Sequence, residues 1–252
     1  MSSDQPTHKT DRTKLHRDPS HGTHDRGVIH RVIDRAPYCH ISFVEDGEPR
    51  LIPTLHAREG ERLFFHGSRA SRLMKVLGSG QTVCCAFTLL HGFVLARSAF
   101  AHNMTYAAAI GFGEGRLLEG EEHLAALKAI SDRMFPGRWE SLRPVTEQEL
   151  NATAVAEITL RDASAKFNDV LPDTRDIDLP YTPWTGVFPL LSVPGKPFPM
   201  ADDAGKEPAP TPAQVAPFLW ENGAGDLESF FAPIRGDAGA GEASAAPPGS
   251  HP

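Results

Sequence analysis

Between Cys39 and Leu118 apolar residues recur at every second position in short runs, and the runs break at Asp46-Gly47, Glu59-Gly60, Gly67-Ser68 and His91-Gly92. A period of two belongs to strands with one buried face, and Asp-Gly is a strong hairpin signal. Cys39, Ile41 and Phe43 share one face of a first strand, and further strands are predicted over residues 50–57, 62–66, 82–89, 93–100, 106–118 and 153–160. His91-Gly92 is the expected turn between two of them. Helices are fewer. Residues 25–35 place Val28, Ile29, Val32 and Ile33 on one face; 69–77 repeat Ala70, Leu73, Met74 and Leu77, with Ser68 as N-cap. Residues 121–135 point Leu124, Leu127, Ile130 and Met134 inward, and Thr146-x-x-Glu149 is a capping box opening a short helix. Strands joined by hairpins with few helices imply a mostly β (α+β) chain whose antiparallel sheet curls into a small barrel.

Composition limits where this barrel begins and ends. Residues 1–22 are polar and carry no apolar period, so they read as a disordered tail. From residue 193 to 252 Pro, Gly and Ala dominate; one apolar island, Val215-Ala216-Pro217-Phe218-Leu219-Trp220, is suited to docking, so a short docking segment is expected near 211–232. The folded body is expected over 23–192. A net charge of −7 argues against a general nucleic-acid binder, which needs surplus Lys and Arg for phosphates. No apolar run is long enough for a bilayer, and the polar start lacks a signal-peptide core, so a cytoplasmic location is the default. Cys39, Cys84 and Cys85 have no metal-like spacing and read as reduced, buried thiols. Five of the twelve histidines fall in the first 30 residues and none forms a known ligand motif, so no metal is expected.

Three segments carry chemistry. In Leu63-Phe64-Phe65-His66-Gly67-Ser68-Arg69-Ala70-Ser71-Arg72 a strand ends on glycine and a helix opens on serines and arginines. Cations oppose the dipole at a helix N-terminus unless an anion sits there; the alternative is a solvated basic face. In Ala96-Arg97-Ser98-Ala99-Phe100-Ala101-His102-Asn103-Met104-Thr105-Tyr106 a loop dense in hydrogen-bonding side chains joins two strands, a common form of binding loop. In Leu51-Ile52-Pro53-Thr54-Leu55-His56 a proline inside a strand calls for a sheet edge or a bulge. Gly111-Phe112-Gly113-Glu114-Gly115 falls inside a strand and reads as a bend or bulge.

In this order, these segments resemble the pyridoxamine 5′-phosphate oxidase-like superfamily of FMN-binding split barrels, most nearly its flavin-nucleotide-binding, nitroimidazole-resistance branch. Phe135-Pro136-Gly137-Arg138-Trp139, Arg143-Pro144-Val145-Thr146-Glu147 and Ser164-Ala165-Lys166 continue the likeness, which spans roughly residues 25–190. The resemblance implies a six- to eight-stranded antiparallel split barrel with a few peripheral helices, and a homodimer with FMN at the protomer interface. By position, Pro53, Thr54 and Leu55 would line the flavin ring. His66, Gly67, Ser68, Ser71 and Arg72 would approach the phosphate or the ring edge. Arg97, Ser98, His102, Asn103, Met104 and Tyr106 would close the pocket, some from the partner, and Lys166 and Trp184 would cover it. His66 would be the catalytic residue, since an imidazole is suited to proton delivery. The implied function is an FMN-dependent oxidoreductase of a small molecule, with nitro or quinone-like groups as candidate substrates and NAD(P)H as a candidate donor. Two alternatives are a non-catalytic flavin store and a haem-binding split barrel with His66 or His102 as axial ligand. Residues 167–192 hold a single arginine, Arg175, which departs from the Arg-rich signature of the vitamin B6 oxidases.

Overall fold

The computed structural model describes residues 9–16, 19–192 and 198. In chain order its elements are the strand Gly22–Thr23 (β1), helix Arg26–Arg35 (α1), strands Cys39–Glu45 (β2), Glu48–Thr54 (β3), Ala57–Glu59 (β4) and Arg62–Ser68 (β5), and helix Arg72–Gly78 (α2). There follow the long strands Thr82–Leu95 (β6) and Asn103–Leu117 (β7), helices Gly120–Met134 (α3) and Glu147–Ala152 (α4), and strands Thr153–Thr159 (β8), Asp162–Asn168 (β9) and Gly186–Pro189 (β10). Val215–Trp220 and the rest of the expected docking segment lie outside the described residues.

The spine is the β6–β7 hairpin, and its two sides are split. On the β6 side, β2 pairs with residues 84–86 and β10 with residues 92–95. On the β7 side, β9 pairs with residues 106–112 and β8 with residues 115–117. The ladder runs β3-β2-β6-β7-β8-β5-β4 without closing, although β3 and β4 at its two edges are consecutive in the chain. This is a mostly β, α+β split barrel of antiparallel strands with peripheral helices. Its inner face carries Ile41, Leu63, Phe65, Cys85, Phe87, Ala107 and Ala109, all buried. Burial pushes the Cys39 thiol up to about 12, and both Cys39 and Cys85 sit in the core as free thiols.

Local chemistry explains several elements. Asp46 and Gly47 both take positive φ (54° and 78°), the turn that an Asp-Gly hairpin requires. Asp25 caps α1 by accepting from Val28 N at 2.8 Å. Glu149 reaches back to Thr146 N at 2.9 Å while Thr146 Oγ1 accepts from Glu149 N at 3.3 Å, so the capping box forms as expected. Glu157, buried on β8, takes Arg62 at 2.5 Å and Arg116 at 2.7 Å, and Glu122 chelates Arg116 from α3 at 3.0 Å twice.

Five expectations change. His91-Gly92 is no turn: β6 runs through it, and a bulge there shifts register between Leu90 and Gly92. The glycine serves close approach instead, since a Cβ on Gly92 would stand 2.5 Å from the Phe188 carbonyl of β10. Gly111, Gly113 and Gly115 likewise mark no bulge but lie in continuous β7 where it passes from β9 to β8, pressed against Leu160, Ile158 and the backbone of Leu77. Helix α2 begins at Arg72 with Ser71 as cap, because Ser68 still pairs with Thr153 as the last residue of β5. α3 packs Ile130 and Leu127 inward as expected, adds His123 and Ala126 to that face, and leaves only Leu124 of the expected face exposed. The fold also reaches further toward the N-terminus than residue 23. Thr13 is buried, Arg12 lies 5.2 Å over the Phe112 ring, and Gly22 pairs with Lys166.

Candidate functional site

β3 is an edge strand, with Pro53 opposite His40 and Thr54 opposite Cys39, as a proline without a ladder donor requires. Two residues beyond Thr54 the chain enters β4, where Ala57 faces Phe64 of β5. Leu55 and His56 therefore carry the chain from one sheet edge to the other. His56 fixes this corner: it is buried, its Nε2 lies 2.9 Å from the Ile33 carbonyl, and its ring meets Phe87 edge-on at 4.9 Å. Burial lowers its pKa to about 4, so it is neutral at pH 7.

His66 lies opposite Val155 and is half-buried. Its Nδ1 is buried with no hydrogen-bond partner among the described residues, and desolvation lowers its pKa. A neutral imidazole with an unanswered nitrogen is the group on this corner best placed to meet a ligand's polar edge.

The expected anion cradle beside it is largely committed within the chain. Ser71 Oγ caps α2 by accepting from Met74 N at 3.3 Å, and Ser68 Oγ accepts from Ala70 N at 3.3 Å. Arg72 pairs with Glu45 of β2 at 3.0 Å, and Arg69 donates to the Asn151 carbonyl at 3.2 Å. Glu45 is a partner that the local sequence around Arg72 does not reveal.

The remaining predicted residues gather at the other end of the hairpin. Arg97 donates to the carbonyls of Leu179 (3.3 Å) and Tyr181 (3.2 Å), and Ser98 Oγ lies 3.5 Å from Arg175 Nη2. His102 Nε2 stands 3.2 Å from the Ala96 carbonyl, and Asn103 Oδ1 accepts from Met104 N at 2.9 Å. Tyr106 lies opposite Leu90 and Asn168, and Lys166 opposite Ala108 on the same face. Trp184 is exposed just ahead of β10 and packs over Gly186. A pocket of about 180 Å³ opens here, walled by Val94, Phe100, Val170 and Leu171, with Asn103 and Arg175 in its polar lining.

The row through Pro53 and the row through Met104 are separate within one chain, with Tyr106 and Lys166 in register between them. Pro53, His40, Ala86 and Ile110 form one row across the sheet, while Phe188, Phe93 and Met104 form another. Met104 is six residues from Ile110 along β7, which at roughly 3.3–3.4 Å per residue is about 20 Å. Two residues went unnoticed in the sequence. His40 sits between Pro53 and Ala86 in register, and its alternation with Cys39 and Ile41 already put it on the outer face. Arg175 was noted only as a lone arginine, yet its guanidinium lies 5.1 Å over the Phe100 ring. Among the described residues no helix is long and apolar enough to cross a membrane, and no group of three or more His, Cys, Asp or Glu is placed to hold a metal ion.

Residues 25–167 match the family model described as pyridoxamine 5′-phosphate oxidase. Among solved structures, the flavocytochrome Anf3 from Azotobacter vinelandii is 32% identical, with 82% of this chain and 97% of that one covered at a TM-score of 0.75. The FAD and haem binding protein from Mycobacterium smegmatis is 31% identical, with 77% and 95% covered at 0.73. A protein assigned to 5-nitroimidazole antibiotic resistance in Bacteroides thetaiotaomicron is 19% identical over 58% of this chain and 86% of its own, at 0.50, a likeness of fold alone. No curated protein matches.

Proposed function

This chain belongs to the pyridoxamine 5′-phosphate oxidase family, and on that premise we propose that it is a flavin-binding redox protein that works as a homodimer on a small molecule. One observation carries the reading: the row through Pro53 and the row through Met104 lie about 20 Å apart along one hairpin, and a second copy would bring the corner at residues 53–55 of one chain to the loop at residues 97–106 of another. The residues fit a flavin's ring edge, since His66 Nδ1 is buried and unanswered beside Gly67. Pro53, Thr54 and Leu55 would line the ring, and Ser68, Ser71 and Arg72 would approach its phosphate, with Glu45 giving up Arg72. Arg97, Ser98, His102, Asn103, Met104, Tyr106, Lys166 and Trp184 would close the site across the dimer.

The electron chemistry would be the flavin's; the protein orients it and excludes water. His66, kept neutral by desolvation, would accept or return a proton at its ring nitrogen. FMN is the flavin that the sequence resemblance implies. A second reading adds haem and exchanges FMN for FAD, because the two similar structures above 30% identity are named for flavin or FAD together with haem or cytochrome. For that reading both His66, through its unanswered Nδ1, and His102, whose Nε2 bond to the Ala96 carbonyl would orient its ring, are axial candidates.

Absorption spectra of the purified chain, with chromatography of the released flavin, test both. An oxidised-flavin spectrum without a Soret band supports the first reading, and a Soret band supports the second. If His66→Ala abolishes that band while His102→Ala keeps it, the ligand is assigned. A colourless protein that takes up neither FMN nor FAD overturns the proposal.

A further inference from the structure

The pocket between the β6–β7 connection and residues 170–175 is a half-open recess with an inner space of single-ring size. Its volume of about 180 Å³ is near the ~150 Å³ that holds one benzene ring in an apolar cavity. Val94, Val170 and Leu171 give it apolar walls, and Phe100 offers an exposed ring on which a second ring can stack. Its charged lining is one guanidinium, Arg175, and one carboxylate, Asp173, which together favour an uncharged guest. Arg175 is held in place by Asp178 (3.1 Å), by Ser98 and by the Phe100 face, so its donors are oriented before anything binds. Asn103 spends its Oδ1 on Met104 N, which leaves its amide NH₂ as the group to offer a ligand.

We propose that this pocket binds a one-ring aromatic primary carboxamide. The ring fills the apolar walls and stacks on Phe100. The carbonyl oxygen accepts from Asn103 Nδ2 and Arg175, and the amide NH₂ donates to Asp173. A free aromatic amide and the nicotinamide end of a dinucleotide share this chemistry. The pocket draws Ser98, His102 and Asn103 from the loop that would close the flavin site, but none of these contacts requires a flavin.

Titration of the full chain with benzamide, followed by ligand-observed NMR, tests the proposal against benzoate, acetophenone and 2-naphthamide. Benzamide should bind at least about fivefold more tightly than benzoate or acetophenone, the worth of one hydrogen bond. Ala101→Leu, which fills the pocket, should weaken it about tenfold or more, and Asp173→Ala, which removes the acceptor, should erase the preference over acetophenone, both with unchanged thermal melts. Displacement of benzamide by NADH identifies the dinucleotide as the source of the ring; failure to displace it identifies the free amide. Binding of 2-naphthamide as tight as benzamide, or an Ala101→Leu protein that binds benzamide unchanged, would overturn the proposal. A colourless preparation that binds benzamide would keep this site while the flavin reading fell.

Discussion

The two ends of the β6–β7 hairpin are built from one sheet but to different rules. At the barrel end the inner face is sealed: Phe87, Cys85, Ala107 and Ala109 are all buried, and α2 and β8 press on glycines in β7. Beyond the bulge at His91 the same strands leave the barrel. There Phe188, Phe93 and Met104 lie side by side on one face, exposed by 58%, 44% and 45%. A row of large apolar side chains open to water is costly unless something covers it. One end thus supplies the chain's own stability, and the other supplies a surface that the proposed dimer would use.

Breaking the barrel end should produce the largest effect. Phe87→Ala removes the ring against which His56 packs, at the corner joining β3 to β4, and a buried Phe→Ala change costs about 3–5 kcal/mol. Chemical denaturation should show that loss; a change under about 1 kcal/mol would mean the corner collapses around the gap and is not the keystone argued here.

Acid should act on the same end more gently. Burial holds His56 and His91 at about 4, and Arg35 adds to the effect at His91. Between pH 6.5 and 4 the unfolded chain therefore takes up protons that the folded chain refuses. The stability these neutral rings confer is complete above about pH 6.5 and declines as pH falls toward 4, by up to ~1.4 kcal/mol per pH unit for each ring. Melting temperatures across that window should fall with pH, and His56→Phe should flatten part of the slope. An unchanged slope would show that His56 is not among the groups responsible.

Features governed by neighbours in sequence were legible before the structure. Asp46-Gly47 turns, Thr146 and Glu149 cap each other, and Pro53 lies on an edge strand, each for a reason contained within a few residues. Features set by distant partners were not. Gly92 reads as a turn residue, yet its lack of a side chain admits β10, about 95 residues away. Arg72 reads as an anion ligand from its helix, but Glu45 on β2 holds it. The likeness in the sequence pointed to two segments of the site, whereas their separation along the hairpin follows only from strand register. The amide pocket depends on residues 170–175, which carry no periodic signal.

The smallest expected effect on the folded chain is at the outer end of the hairpin. Phe93 and Met104 lie outside the buried core and lose mainly their cross-strand contacts with each other and with Phe188, so replacing both with Ser should lower chain stability by about 1 kcal/mol. If the row is the dimer surface, the same double change should convert a dimer to a monomer in light scattering and, because the site would be divided between copies, release the flavin. A monomer that keeps its flavin would place the cofactor within one chain and refute the divided site. A chain that is monomeric before any substitution would show that the row serves another purpose, and the contrast between the two ends would then rest on the barrel alone.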